Sequence, residues 1–298
     1  MILPPHLAHT ISGVHGERGA DWISRLAEVI ASCERRFQIE VQAPFPNLTY
    51  NVVLQAVDRS GREVVLKLSV PNEELNREID AIEHFDGKGF VRCFAADRQL
   101  GALLLERVRP GTPLSAEGEE DRATRIFTSV VRKMKRELPS GGEFPTLANW
   151  AQGFKRLRER FAGGCGPLSA AMVERAEQLY QQLIETTEES VLLHGDLHHD
   201  NILSAGGGAW VAIDPKGVIG DPCFEPFSYL HNYLQGKANL LRRIEVVCAE
   251  LGLERERVVG WGFAQLMLSA SWLIEDGLSG WQETVQKATY FLEILDER

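Results

Sequence analysis

The sequence predicts an α+β protein in two lobes, β-rich at the N-terminus and mainly helical at the C-terminus. Three observations predict it. Between Leu48 and Val108, strand-like apolar runs alternate with turn residues. Past Arg109-Pro110-Gly111-Thr112-Pro113, which breaks the chain, long stretches take up the helical period. A single strand-turn-strand segment, Val191 to Ile219, interrupts those helices and carries a dense polar motif.

A helix over 20–37 opens the fold, with Trp22, Ile23, Leu26, Val29 and Ile30 at helical spacing. Leu48 to Val57 and Glu63 to Val70 read as strands around the turn Asp58-Arg59-Ser60-Gly61. Pro71-Asn72 then starts a helix, Glu73 to Phe85, with Leu75, Ile79 and Ile82 on one face. Strands follow near Phe90 to Ala95 and at Ala102 to Val108. Helices are expected at 119–137, 146–162, 168–188, 224–235, 237–251, 254–276 and 279–297. The lobes therefore divide as 1–108 and 109–298, and ligands favour clefts between such lobes.

Composition narrows the function. A net charge of −10 argues against nucleic acid, which requires a basic face. Cys33, Cys93, Cys165, Cys223 and Cys248 are scattered, without C-x-x-C spacing, and fit a reducing cytoplasm better than a disulfide framework or a zinc site. Met1-Ile2-Leu3-Pro4-Pro5 does not read as a signal peptide. The apolar run from Trp261 to Ile274 carries Gln265, Ser269 and Ser271; it is too short and too polar for a bilayer and reads as a buried helix, so no membrane partner is expected.

The chemistry concentrates in His194-Gly195-Asp196-Leu197-His198-His199-Asp200-Asn201, between apolar runs, and in Asp214 at the end of Trp210-Val211-Ala212-Ile213. Asp196 in a tight turn can align and deprotonate a hydroxyl. Asn201 and Asp214 offer hard oxygen ligands of the kind Mg2+ prefers, so the set suits phosphoryl transfer. His194 reads as a structural hydrogen-bonding residue. His198 and His199 are neighbours that cannot readily face one ion, which argues against zinc. Upstream, Lys67 sits in the apolar strand Val64 to Leu68, and Glu78 follows on the next helix. A lysine that grips phosphates needs a carboxylate to hold its stem; Glu78, beside Ile79, suits this better than Glu73, Glu74 or Glu83. At Glu106 to Val108 a strand runs into the lobe boundary, where backbone groups of Glu106 and Val108 can pair with a purine edge.

Together these residues resemble the aminoglycoside phosphotransferase family, a branch of the protein-kinase-like fold. The pattern H-G-D-x-H-x-x-N is matched by His194, Gly195, Asp196, His198 and Asn201. Ile213-Asp214-Pro215-Lys216-Gly217 through Gly220-Asp221-Pro222, and the later Ser271 to Gly277, look closest to the streptomycin 6-kinase and hydroxyurea phosphotransferase subfamily. The resemblance covers about Leu48 to Gly277 and implies a five-stranded antiparallel N-terminal sheet. It implies an ATP- and Mg2+-dependent O-phosphotransferase with Asp196 as base, Asn201 and Asp214 as metal ligands and Lys67 on the phosphates. One departure stands out. The loop expected over the phosphates, Phe45 to Asn51, has no glycine, although Asn47, Thr49 and Asn51 supply polar side chains beside its N–H groups.

The resemblance points to a small hydroxyl-bearing acceptor, with Glu225, Glu275 and Asp276 as candidate partners for a cationic one. The alternatives are a metabolic kinase for an amino alcohol or sugar, and a nucleotide-binding pseudokinase. The intact set of Lys67, Asp196, Asn201 and Asp214 argues against the last.

Overall fold

The computed structural model describes residues 5–46, 48, 50–134 and 137–297. Five strands build the N-terminal sheet: β1 (Ile39–Pro44), β2 (Val52–Asp58), β3 (Glu63–Leu68), β4 (Cys93–Asp97) and β5 (Ala102–Glu106). Their order is β1-β2-β3-β5-β4, with every neighbouring pair antiparallel. The alternation of side chains across a strand sorts the two faces. Val52, Leu54, Ala56, Val64, Leu66 and Leu68 turn to one side, in register as Leu54 opposite Leu66 and Val52 opposite Leu68. Lys67, one residue out of phase, falls on the other side.

Two helices cover the first face, α1 (Pro5–Ser24) and α2 (Leu26–Phe37). Leu7, Ile11, Trp22, Leu26 and Cys33 bury themselves against the strands there. Only the second helix and the end of the first fall within the expected 20–37. The missed part has few apolar residues and contains Gly13, Gly16 and Gly19, which weaken any helical signal. Gly16, at φ 59°, breaks the run. Strand β1 gives little signal in the residues because it buries little beyond Ile39 and ends at a proline.

Helix α3 (Glu73–Phe85) lies across the second face. Asn72 caps it, its side chain accepting the Leu75 N–H at 2.8 Å. Its buried face, Leu75, Glu78, Ile79, Ile82 and Phe85, joins Leu103 and Leu105 of the sheet to a core that continues through Leu114 into the helical half. The lobes thus share one core.

That half contains α4 (Glu120–Lys133), α5 (Leu147–Arg160), α6 (Ala170–Glu185), α7 (Phe227–His231), α8 (Lys237–Leu251), α9 (Arg255–Glu275) and α10 (Trp281–Asp296). Helix α9 is the buried one; its residues 258–268 are inaccessible on all sides, as a helix apolar all round requires. Among the described residues no helix is long and apolar enough to cross a membrane. The helix expected at 224–235 is instead a 3-10 turn, Pro222–Phe224, followed by the short α7. Pro226 lies between them, and Tyr233, at φ 55°, lies beyond.

Four short strands position the motif: β6 (Val191–Leu193) pairs with β9 (Val218–Gly220), and β7 (Ile202–Ser204) with β8 (Trp210–Ala212). The two ribbons bring the loop after β6 against the loop after β8. The Lys216 N–H donates to His194 O at 2.8 Å and the Ile213 N–H to Asn201 O at 2.9 Å. At the back, the sheet half and the linker that follows it are stitched to these ribbons by backbone bonds. Val91 donates to Ala212, Ala212 to Gly89, Gly111 to Ser204 and Ser204 to Thr112, all within 2.8 to 2.9 Å.

Candidate active site

A cleft of about 840 Å3 opens between the sheet and the helical half. Asp196, Asn201 and Asp214 line it from one side, Lys67 and Glu78 from the other. His194 sets the shape of the first loop. It is fully buried, its Nε2–H donates to Ile213 O at 2.7 Å, and its Nδ1 accepts the Asp196 N–H at 3.2 Å. Burial holds its pKa down at about 4, so the ring is neutral and structural. Gly195 follows at φ 80°, and a Cβ there would come within 2.8 Å of Val218 Cγ1. Glycine is what the turn accommodates.

Asp196 accepts a hydrogen bond from Ser228 Oγ at 3.2 Å, and burial raises its pKa from the ordinary value. A raised pKa suits a carboxylate that must take up a proton. Asn201 Nδ2 donates to Asp196 O at 2.9 Å, which commits the amide nitrogen and leaves the amide oxygen as the free pole. Asp214 occupies φ 57° at the end of the second loop. Desolvation by the cleft wall pushes its pKa up, but Lys67 outweighs this and holds it low.

Lys67 is 4% exposed and reaches Glu78 Oε1 at 2.6 Å and Asp214 Oδ1 at 3.0 Å. Burial alone would lower its pKa; the two carboxylates outweigh this, raise it and keep the ammonium charged. Of the acidic residues on α3, Glu78 is the one that meets Lys67. Glu74 instead pairs with Lys216 across the cleft at 2.6 Å. Asn201 and Asp214 present two oxygen donors, and among the described residues no cluster of three or more His, Cys, Asp or Glu is gathered for a metal. Such a pair fits a hard cation that keeps water and phosphate in its shell, as Mg2+ does, and does not fit a closed zinc site.

Other expected residues lie elsewhere. Glu106 and Val108 sit where β5 leaves the sheet; the Glu106 carboxylate accepts the Arg92 N–H at 3.4 Å, and neither residue lines the open cleft. Thr49 falls outside the described residues. Glu225, expected to face a cationic acceptor, is only 6% exposed and accepts the backbone N–H groups of His194 at 2.8 Å and Gly195 at 3.4 Å. The 3-10 turn before it tucks it beneath the loop. Glu275 pairs with Arg156 at 2.8 Å, Asp276 is exposed at the end of α9, and neither lines the cleft.

The cleft also draws on residues to which the sequence assigns no role. Ile11, Val14 and His15 of α1 line it, with no local signal to announce them. Asp200 lines it as well, held by Ser115 Oγ at 2.5 Å and Tyr233 OH at 2.6 Å. Lys216 was in view within the second motif, but its partner Glu74 lies 142 residues away.

A strand lysine clamped by a helix glutamate, facing a half-buried aspartate and two metal-suited oxygens across a cleft, defines a phosphotransferase of the protein-kinase-like fold. The model of the aminoglycoside/hydroxyurea antibiotic resistance kinase family matches residues 39–277, and the chain belongs to that family. It is an enzyme of the antibiotic-resistance kinase type, a phosphotransferase with a hydroxyl group on a small molecule as acceptor. It is 27% identical to a streptomycin 6-kinase of Streptomyces griseus over 93% of this chain and 92% of the relative. It is 30% identical to a hydroxyurea phosphotransferase of Kitasatospora aureofaciens, over 92% and 81% respectively. The fold is also that of the choline kinase LicA from Streptococcus pneumoniae, with a TM-score of 0.63 at 15% identity, over 92% of this chain and all of that one.

Proposed function

We propose that this chain moves the γ-phosphoryl group of ATP, bound with Mg2+, to a hydroxyl of a streptomycin-like acceptor in the cytoplasm. Residues 1–108 hold the nucleotide and residues 109–298 the acceptor. The observation that carries this is the meeting of Lys67, Glu78, Asp196, Asn201 and Asp214 around one cleft. Lys67, braced by Glu78, binds the α- and β-phosphates. Asn201 and Asp214 hold Mg2+, which when bound neutralises phosphate charge. Asp196 orients the acceptor hydroxyl and takes its proton as the new O–P bond forms. Glu225 and His194 keep the Asp196 loop in shape from beneath. Backbone groups at Glu106 and Val108, where β5 leaves the sheet, meet the purine.

Two relatives support the acceptor class, one named for streptomycin and one for hydroxyurea. The test is incubation of the protein with Mg-ATP and, separately, streptomycin, hydroxyurea and choline, reading ADP release and phosphorylated product by mass spectrometry. Phosphorylated streptomycin is expected. No product from streptomycin by protein that still binds Mg-ATP would overturn the acceptor assignment, and phosphorylation of choline alone would move the enzyme to amino alcohols.

A further inference from the structure

The described residues lining the cleft include five carboxylates, Glu74, Glu78, Asp196, Asp200 and Asp214, but only two ammonium groups, Lys67 and Lys216. A triphosphate entering this space meets a wall of its own sign. Lys67 is already committed, buried between Glu78 and Asp214. Lys216 is not. Its side chain is 48% exposed and its partner Glu74 57% exposed, and a pair so open to water contributes little stability and is readily exchanged.

The base of Lys216 is nevertheless fixed at the reacting end of the cleft. Its N–H donates to His194 O at 2.8 Å. Its Cβ lies 3.5 Å from where a Cβ on Gly195 would stand, next to Asp196 in the chain. A flexible four-carbon stem therefore starts beside the loop that presents Asp196 and is parked on the opposite lobe.

We propose that Lys216 is a catalytic residue that leaves Glu74 to hold the transferring phosphoryl group beside Asp196. This rests on the phosphotransferase reading above. In the step, the acceptor O–H proton passes to the Asp196 carboxylate and the acceptor oxygen bonds to the γ-phosphorus. The bond from that phosphorus to the β-phosphate oxygen breaks, and its electron pair leaves with ADP. Lys216 stays protonated throughout and donates hydrogen bonds to the equatorial oxygens, where the charge spreads. Glu74 serves as its resting partner.

The test compares Mg-ADP, which lacks the group Lys216 is to hold, with Mg-AMP-PNP, which carries a counterpart of it. Calorimetry on the full chain measures both for the wild type, Lys216→Met, Lys216→Arg and Glu74→Gln. Loss of a charge-assisted contact in Lys216→Met should weaken Mg-AMP-PNP by about tenfold or more while leaving Mg-ADP within about threefold. Lys216→Arg should recover most of the loss, and Glu74→Gln should bind Mg-AMP-PNP as tightly as the wild type or more so. Equal losses for both nucleotides in Lys216→Met would show a residue serving the fold or the α- and β-phosphates, and would overturn the proposal. A loss in Glu74→Gln matching that of Lys216→Met would overturn it too, since the bridge itself would then be what matters. A wild type that binds neither nucleotide would instead sink the phosphotransferase reading on which this stands.

Discussion

Replacing Glu225 separates two roles a cleft-side glutamate can have. Its carboxylate accepts the His194 N–H at 2.8 Å and the Gly195 N–H at 3.4 Å, from a site 6% exposed. The short bond to a charged acceptor is worth about 1.5–3 kcal/mol; the long one is weaker. Glu225→Gln keeps the shape and one acceptor oxygen but turns an NH2 toward the second donor, so about 1–3 kcal/mol of stability should go. Glu225→Ala leaves both donors without this acceptor and should cost about 2–5 kcal/mol. Because those amides shape the loop carrying Asp196, misplacement of the base should lower kcat by about 10²-fold in Glu225→Gln. The acceptor KM should move less than about twofold, since no acceptor contact is removed. Urea unfolding gives the stability change, and initial rates at saturating Mg-ATP give kcat and KM. A Glu225→Gln protein of unchanged stability and kcat, with a raised acceptor KM, would refute the argument and return Glu225 to the acceptor.

Three further outcomes are expected. Asp196→Asn should lower turnover by about 10²–10⁴-fold while Mg-ADP still binds, as initial rates and calorimetry will show; retention of most of the rate would move the base elsewhere. Asp214→Ala should weaken Mg-nucleotide binding more than Asn201→Ala, because a carboxylate gives the cation a full charge and an amide only a dipole; equal losses in a magnesium titration would contradict this. His194, His199 and His231 are held by burial at pKa values of about 4, below the ordinary 6.5. Between those values the unfolded chain binds more protons than the folded one, so stability is full above pH 6.5 and falls on acidification toward pH 4. Each histidine contributes about 1.4 kcal/mol of loss by pH 5.5. Urea midpoints at pH 7.5 and 5.5 test it, and equal midpoints would mean that the three rings are not buried as neutral groups.

The meeting of Lys67 with Glu78 was legible because it follows from local periods. A strand of period two places Lys67 opposite Leu66 and Leu68, and a helix of period 3.6 places Glu78 on the face with Leu75, Ile79 and Ile82. The acceptor side was not legible. A glutamate looks the same whether it meets a ligand or two backbone amides, and only the packing of the 3-10 turn beneath the loop decides for Glu225. Helix α1 was hidden for another reason: its glycines dilute the pattern, and its burial of Leu7 and Ile11 depends on strands far along the chain. Helix α8 matched its expected span to the residue, since a continuous pattern between Gly236 and Gly252 marks both ends.

The stitching at the back of the cleft decides how the molecule can breathe. A lobe hung on one linker swings like a door, but here the N–H groups of Val91 and Ala212 make bonds across the seam, and those of Gly111 and Ser204 tie the linker itself to β7. Opening there would break the Val91 and Ala212 bonds together, whereas at the front the solvent-washed pair of Glu74 and Lys216 and the contact of Lys67 with Asp214 are side-chain bridges. Traffic into and out of the cleft is therefore expected at the front, with the seam as a fixed spine. Hydrogen exchange should find those four amides among the slow ones even during turnover, and rapid exchange at Ala212 and Ser204 would show that the spine bends.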